Sequence, residues 1–217
     1  MDARELAVKG VLEFSPTVFR DDRGLLVSHY QEEALMMARG RPLFPVAQTL
    51  HTESRRGVVR GVHYTATPPG AAKYVYCSRG EALDILVDIR VGSPTFGRTV
   101  ATRLDQRDFR ALYIPVGVGH AFVALRDGTV MNYLLSASYA PANELALSPL
   151  DPELRLPLPD LSLPDLSGPN GSGPVLSARD RAAPTLSRAG AEGLLPSYDR
   201  CVEIDAELSE RACARPR

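Results

Sequence analysis

Imidazoles are scarce in this chain, and two of the four, His63 and His120, sit where the backbone can put them to use. His63 ends the run Arg56-Gly-Val-Val-Arg60-Gly-Val-His63. Arg60 and His63 are three apart, so on a regular strand they face opposite sides. Both reach one site only if Gly61 marks a bulge or the site wraps around the strand end. The plainer reading of Arg60 is an exposed strand arginine. His120 follows Pro115-Val-Gly-Val-Gly, a tight turn that delivers the ring into the start of a strand; a buried structural histidine is the competing reading. Lys73, Val75 and Cys77 share one strand face, and Met131, Tyr133 and Leu135 share another. Lysine, tyrosine, histidine and aspartate set among aliphatics are costly unless they pair or serve a ligand. Groups whose ionisation is shifted in this way are the tools of acid–base chemistry. The alternative for Tyr133 is a core tyrosine whose hydroxyl meets a backbone carbonyl.

Other chemistries are poorly provided for. The Pro-x-Gly-x-x-His turn is a signature of cupin barrels, and metal-binding cupins also need a His-x-His pair. Here that place reads His63-Tyr64-Thr65, so no metal and no other cofactor is expected. Three scattered cysteines make neither a disulfide framework nor a zinc site. The formal net charge of −1 over 217 residues offers no field for nucleic acid or an anionic membrane. No long uncharged apolar run exists to span a bilayer, and the N-terminus has no apolar signal core. A soluble, cytoplasmic protein is expected. Only two of the 25 basic residues are lysines, Lys9 and Lys73.

The elements that must position these groups read as an antiparallel β domain over residues 46–148. In Glu81–Arg90, Leu83, Ile85, Val87 and Ile89 alternate with Ala82, Asp84, Leu86 and Asp88. Gly92-Ser93-Pro94 breaks that strand. Further strands are expected at 74–77, 98–103, 111–114, 120–125 and 130–135, with Asp127-Gly128 turning the last pair. Such spacing means a sandwich or barrel. Helices are expected at Gln31–Arg39, closed by Gly40, near Pro184–Ala191 and near Val202–Ala212. Seven of the 18 prolines fall between Pro149 and Pro174, where Pro159-Asp-Leu-Ser-Leu and Pro164-Asp-Leu-Ser-Gly nearly repeat. A flexible surface loop is expected there.

The spaced motifs together resemble the dTDP-4-dehydrorhamnose 3,5-epimerase family, metal-free cupins that epimerise nucleotide-linked 4-keto-6-deoxy sugars. Carrying the resemblance are Asp22-Arg23-Gly24, Gln48, residues 56–63, Pro69 to Lys73, Arg79-Gly80 and Asp84 with residues 87–97. It continues through Ile114 to Phe122, Tyr133, Tyr139-Ala-Pro141 and Leu176-Ser-Ala-Arg-Asp180. The branch most similar serves antibiotic deoxysugar pathways and includes C5 epimerases. The resemblance implies one jelly-roll domain over 1–217, with a loop at 149–175 and a helical segment at 176–217. It also implies a homodimer whose N-terminal strands, within residues 1–45, cross to the neighbouring barrel.

The chemistry it implies answers a physical need. A proton beside a ketone leaves only with a base, a stabiliser for the enolate oxygen and an acid on the other ring face. By resemblance His63 is the base, Asp180 its partner, Lys73 the group facing the C4 oxygen with Arg60 or His120 in support, and Tyr133 the acid. Arg23, Arg60 and Arg179 match diphosphate clamps. Phe19 and Tyr139 match residues near the thymine, and Gln48 and Glu144 its polar contacts. The chain departs from the pattern in three places: Leu134 follows the tyrosine where lysine is usual, the usual Gln-x-Asn-x-Ser reads Gln48-Thr-Leu50-His-Thr52, and Leu26 stands in place of an aromatic.

Overall fold

The computed structural model describes residues 1–160 and 173–214. Its strands are β1 (Asp2–Glu5), β2 (Leu12–Ser15), β3 (Val18–Asp21), β4 (Gly24–Val27), β5 (Gln48–Ser54), β6 (Val59–Thr65) and β7 (Lys73–Arg79). There follow β8 (Glu81–Val87), β9 (Thr99–Asp105), β10 (Ala111–Ile114), β11 (Gly119–Ala124), β12 (Thr129–Leu135) and β13 (Glu144–Ala146). Among the described residues four α-helices accompany them: α1 (Glu32–Arg39), α2 (Ala178–Ala182), α3 (Leu186–Ala191) and α4 (Tyr198–Cys213). Two antiparallel sheets carry the fold, in the strand orders β1-β2-β10-β7-β12-β5 and β13-β6-β11-β8-β9. This is the jelly-roll arrangement, with helices mainly towards the C-terminus.

Three apolar layers explain the strand sequences. Between the sheets lie Val75, Cys77, Met131 and Tyr133 from one side and Ala82, Leu86, Leu104 and Phe122 from the other. The outer face of the six-stranded sheet, through Phe14, Tyr74 and Tyr113, packs on Leu35 of α1 and Cys201, Ile204 and Leu208 of α4. The outer face of the five-stranded sheet, through Ile85, Val87 and Val123, is covered by Leu147, Leu154, Leu176 and Ala189. A β8 covered on both faces accounts for its near-continuous burial. The alternating row from Leu83 to Ile89 turns out to face outward, and the Ala82–Asp84–Leu86 row faces the interior. Each large apolar side chain buried in these layers contributes about 1.5–3 kcal/mol.

Expected and observed elements agree closely at β10 and α1, which Gly40 closes in a left-handed conformation. The helix near 202–212 starts earlier, at Tyr198, and α2 lies inside the segment 176–217 expected to be helical, at a place where no separate helix was delimited. The loop expectation is corrected at its start. Leu154 is buried, and Leu156 and Leu158 pack on the same cluster, while Asp151 accepts a bond from the Leu186 amide at 2.6 Å. Most of the near-repeat lies outside the described residues.

The N-terminal strands divide. β2 pairs with β10 of its own chain, so residues 12–15 complete their own sheet. Among the described residues the β3–β4 hairpin pairs with itself alone, and it exposes Phe19, Leu25 and Leu26.

Candidate active site

Between the sheets a cavity of about 270 Å³ opens, and its wall includes Arg60, His63, Lys73, His120, Tyr133 and Arg179. The bulge required of Gly61 is present. His63 pairs with His120 and Arg60 with Phe122, so three steps along β6 match two along β11. Gly61 has φ +118°, and a Cβ there would stand 2.4 Å from the His120 carbonyl oxygen. Only glycine fits. The extra residue turns Arg60 and His63 to one side, which a regular strand forbids. Arg60 is held there by the Ser54 hydroxyl, to which its Nε donates at 3.1 Å.

His63 and Tyr133 come from opposite sheets. The Nε2 of His63 lies 2.6 Å from Oδ1 of Asp180, which α2 presents from a first turn capped by the Ser177 hydroxyl on the Asp180 amide. Burial pushes the Asp180 carboxyl up, but the hydrogen bond and charge of His63, with the Gly61 amide, outweigh it and leave the group below its ordinary range. Burial drives the Tyr133 phenol well above its ordinary range, and the Asp84 charge adds to this. Both effects favour the form that can donate a proton. Burial lowers the Lys73 ammonium, against the opposing pull of Glu144 and Asp84.

The remaining expected residues sort by place. Tyr139 and Glu144 line the cavity; Glu144 accepts from the Thr65 hydroxyl at 2.9 Å. Gln48 instead fixes the rim, its Oε1 accepting from the Tyr139 amide at 2.7 Å. Phe19 and Arg23 are not brought to the cavity of their own chain. They line a separate concavity on the β3–β4 hairpin, where Arg23 grips Asp21. Of the departures, Leu50 lines the cavity, Leu134 packs on the outer layer and Leu26 is exposed. The sequence reading assigned no role to Asp84. It is fully buried, and its Oδ2 lies 2.8 Å from Nε2 of His120. The available signal was an aspartate within a strand whose two faces both carry apolar residues. Among the described residues, no three His, Cys, Asp or Glu side chains gather as a metal site, and no helix is long and apolar enough to cross a membrane.

The cavity thus has a histidine backed by a carboxylate on one wall and a buried phenol on the other, with the Lys73 amine beside them. It can remove a proton on one face of a small molecule and return one on the other. Comparison with known proteins bears on which molecule. The family model described as dTDP-4-dehydrorhamnose 3,5-epimerase matches residues 5–188. A dTDP-4-dehydrorhamnose 3-epimerase of Streptomyces niveus is 44% identical, covering 94% of this chain and 93% of its own. The solved structure of NovW, a 4-keto-6-deoxy sugar epimerase from the novobiocin gene cluster of Streptomyces spheroides, is 43% identical. It aligns with a TM-score of 0.85 over 93% of this chain and 95% of that one. ChmJ, a 3'-monoepimerase from Streptomyces bikiniensis solved with dTDP-quinovose, aligns at 0.85 with 41% identity, over 94% and 98%.

Proposed function

Because this chain belongs to the dTDP-4-dehydrorhamnose 3,5-epimerase family of sugar epimerases, we propose that its cavity inverts a carbon beside the ketone of a dTDP-4-keto-6-deoxyhexose. The carbon is C5, C3 or both, and the product feeds deoxysugar assembly for a secondary metabolite. One observation carries the reading: His63, backed by Asp180, and Tyr133 line one cavity from opposite sheets.

In this reading His63 takes the proton from the ring carbon, and its electron pair moves onto the C4 oxygen. Lys73 faces that oxygen, where a compact ammonium stabilises the enolate, and His120 lies beside it. Tyr133 then gives its proton to the opposite face, and solvent reprotonates the phenolate. Arg60 and Arg179 take the diphosphate with their planar forks. Tyr139 stacks by the thymine, with Gln48 and Glu144 at its polar edge. Phe19 and Arg23 complete the nucleotide site of a second copy, since they line a concavity on the β3–β4 hairpin separate from their own cavity. The protein is accordingly a homodimer.

Incubation with dTDP-4-keto-6-deoxyglucose in deuterated water tests the function. NMR should show deuterium at C5, at C3 or at both, together with inverted product. Tight binding with no exchange at either carbon would make the protein a nucleotide-sugar binder, not an epimerase.

A further inference from the structure

The site described above uses His63, Lys73, Tyr133 and their neighbours, but leaves unexplained a second histidine–carboxylate pair on the same sheet. His120 is in register with His63 across β6 and β11. Its Nε2 lies 2.8 Å from Oδ2 of Asp84 on β8. Asp84 has no solvent exposure, and its Oδ1 has no hydrogen-bond partner among the described residues. The row it occupies is otherwise Ala82 and Leu86, both part of the apolar layer between the sheets. A half-satisfied buried carboxylate there is a cost that an apolar residue would avoid. Packing gives no reason for it.

The cavity does. His120 lines it and its ring stands 6.1 Å from that of Tyr133, edge towards face. We propose that Asp84 is a positioning residue, holding His120 against the cavity wall and supplying the interior negative charge that faces Lys73 and Tyr133. This deepens the epimerase reading and rests on it. The chemistry requires both groups protonated: Lys73 to meet an enolate, Tyr133 to deliver a proton. Facing Lys73 are Glu144 of β13 and Arg179 of α2 besides Asp84. Facing Tyr133 are Arg60 of β6, Thr52 of β5 and Cys77 of β7 besides Asp84. Asp84 is the carboxylate common to both, and at each its charge favours the protonated form. Removing that charge lowers the pH at which each proton is lost.

The test is the pH profile of inversion in the intact protein, with Asp84→Asn and His120→Gln beside wild type. In Asp84→Asn the alkaline fall in rate should begin about 1 pH unit lower or more, while the acid limb stays in place. His120→Gln keeps the Asp84 charge, so its alkaline limb should not move down, whatever its rate. An Asp84→Asn profile of unchanged shape and uniformly reduced height would mean a merely structural aspartate and overturn the proposal. So would a His120→Gln limb displaced downward, a result that decides the matter even if Asp84→Asn fails to fold. Failure of the underlying reading looks different: wild type itself would give neither exchange nor inversion.

Discussion

His63 can act as a base only if one ring nitrogen is free while the other is held. With Nε2 on Asp180, Nδ1 is the nitrogen that the proposed reaction assigns to the substrate proton, and a carboxylate so placed would stabilise the imidazolium that results. Asp180→Asn keeps the size of the side chain and removes its charge. Deuterium uptake should fall to a rate between those of wild type and His63→Ala; wild-type uptake would show that the pair is not the base. The pH dependence has a definite sign. A carboxyl whose folded pKa is depressed contributes stability that is present above its ordinary value and is lost as pH falls through the folded one. The stability difference between wild type and Asp180→Asn in thermal melts should therefore close as pH drops below about 4. A constant difference would count against a charged Asp180.

Elements decide which of these residues meet. The β6 bulge could be stated from spacing alone as a condition, because Arg60 and His63 are an odd number apart and Gly61 lies between them. Whether the condition is met depends on β11 pressing its His120 carbonyl against the α-carbon of Gly61, a long-range contact that local pattern does not reveal. The strand at 81–87 was legible as a strand, but which of its rows faces inward was not, since both faces are buried. That ambiguity left Asp84, though part of the matched motifs, without a role. The five residues of α2 are too few for a periodic signal, so the motif at Asp180 could be matched while the bounds of its helix could not be read. The β3–β4 hairpin raises a different point. Its exposed Phe19 and Leu26 and its lack of any sheet neighbour suit an element completed by a second copy. Sedimentation at micromolar concentration should give a dimer for wild type, and deletion of residues 18–27 should weaken the dimer and nucleotide binding together. A monomeric wild type would contradict the assignment of Phe19 and Arg23 to a neighbour's site.

At the scale of the molecule, the proposed inversion divides its labour between two facing sheets. The five-stranded sheet carries His63 and the six-stranded sheet carries Tyr133 and Lys73, so in that proposal the substrate ring lies between walls of opposite role. This division is the central claim, and it predicts that the two half-reactions can be separated. The most direct measurement follows deuterium uptake and inverted product together in Tyr133→Phe, with His63→Ala as reference. With the phenol gone and the base intact, exchange should persist in part, because His63 can return deuterium to the face it came from. Inversion should fall by roughly 10²–10⁴-fold, the usual loss of a positioned acid, whereas His63→Ala should lose both. Full inversion by Tyr133→Phe would contradict the account.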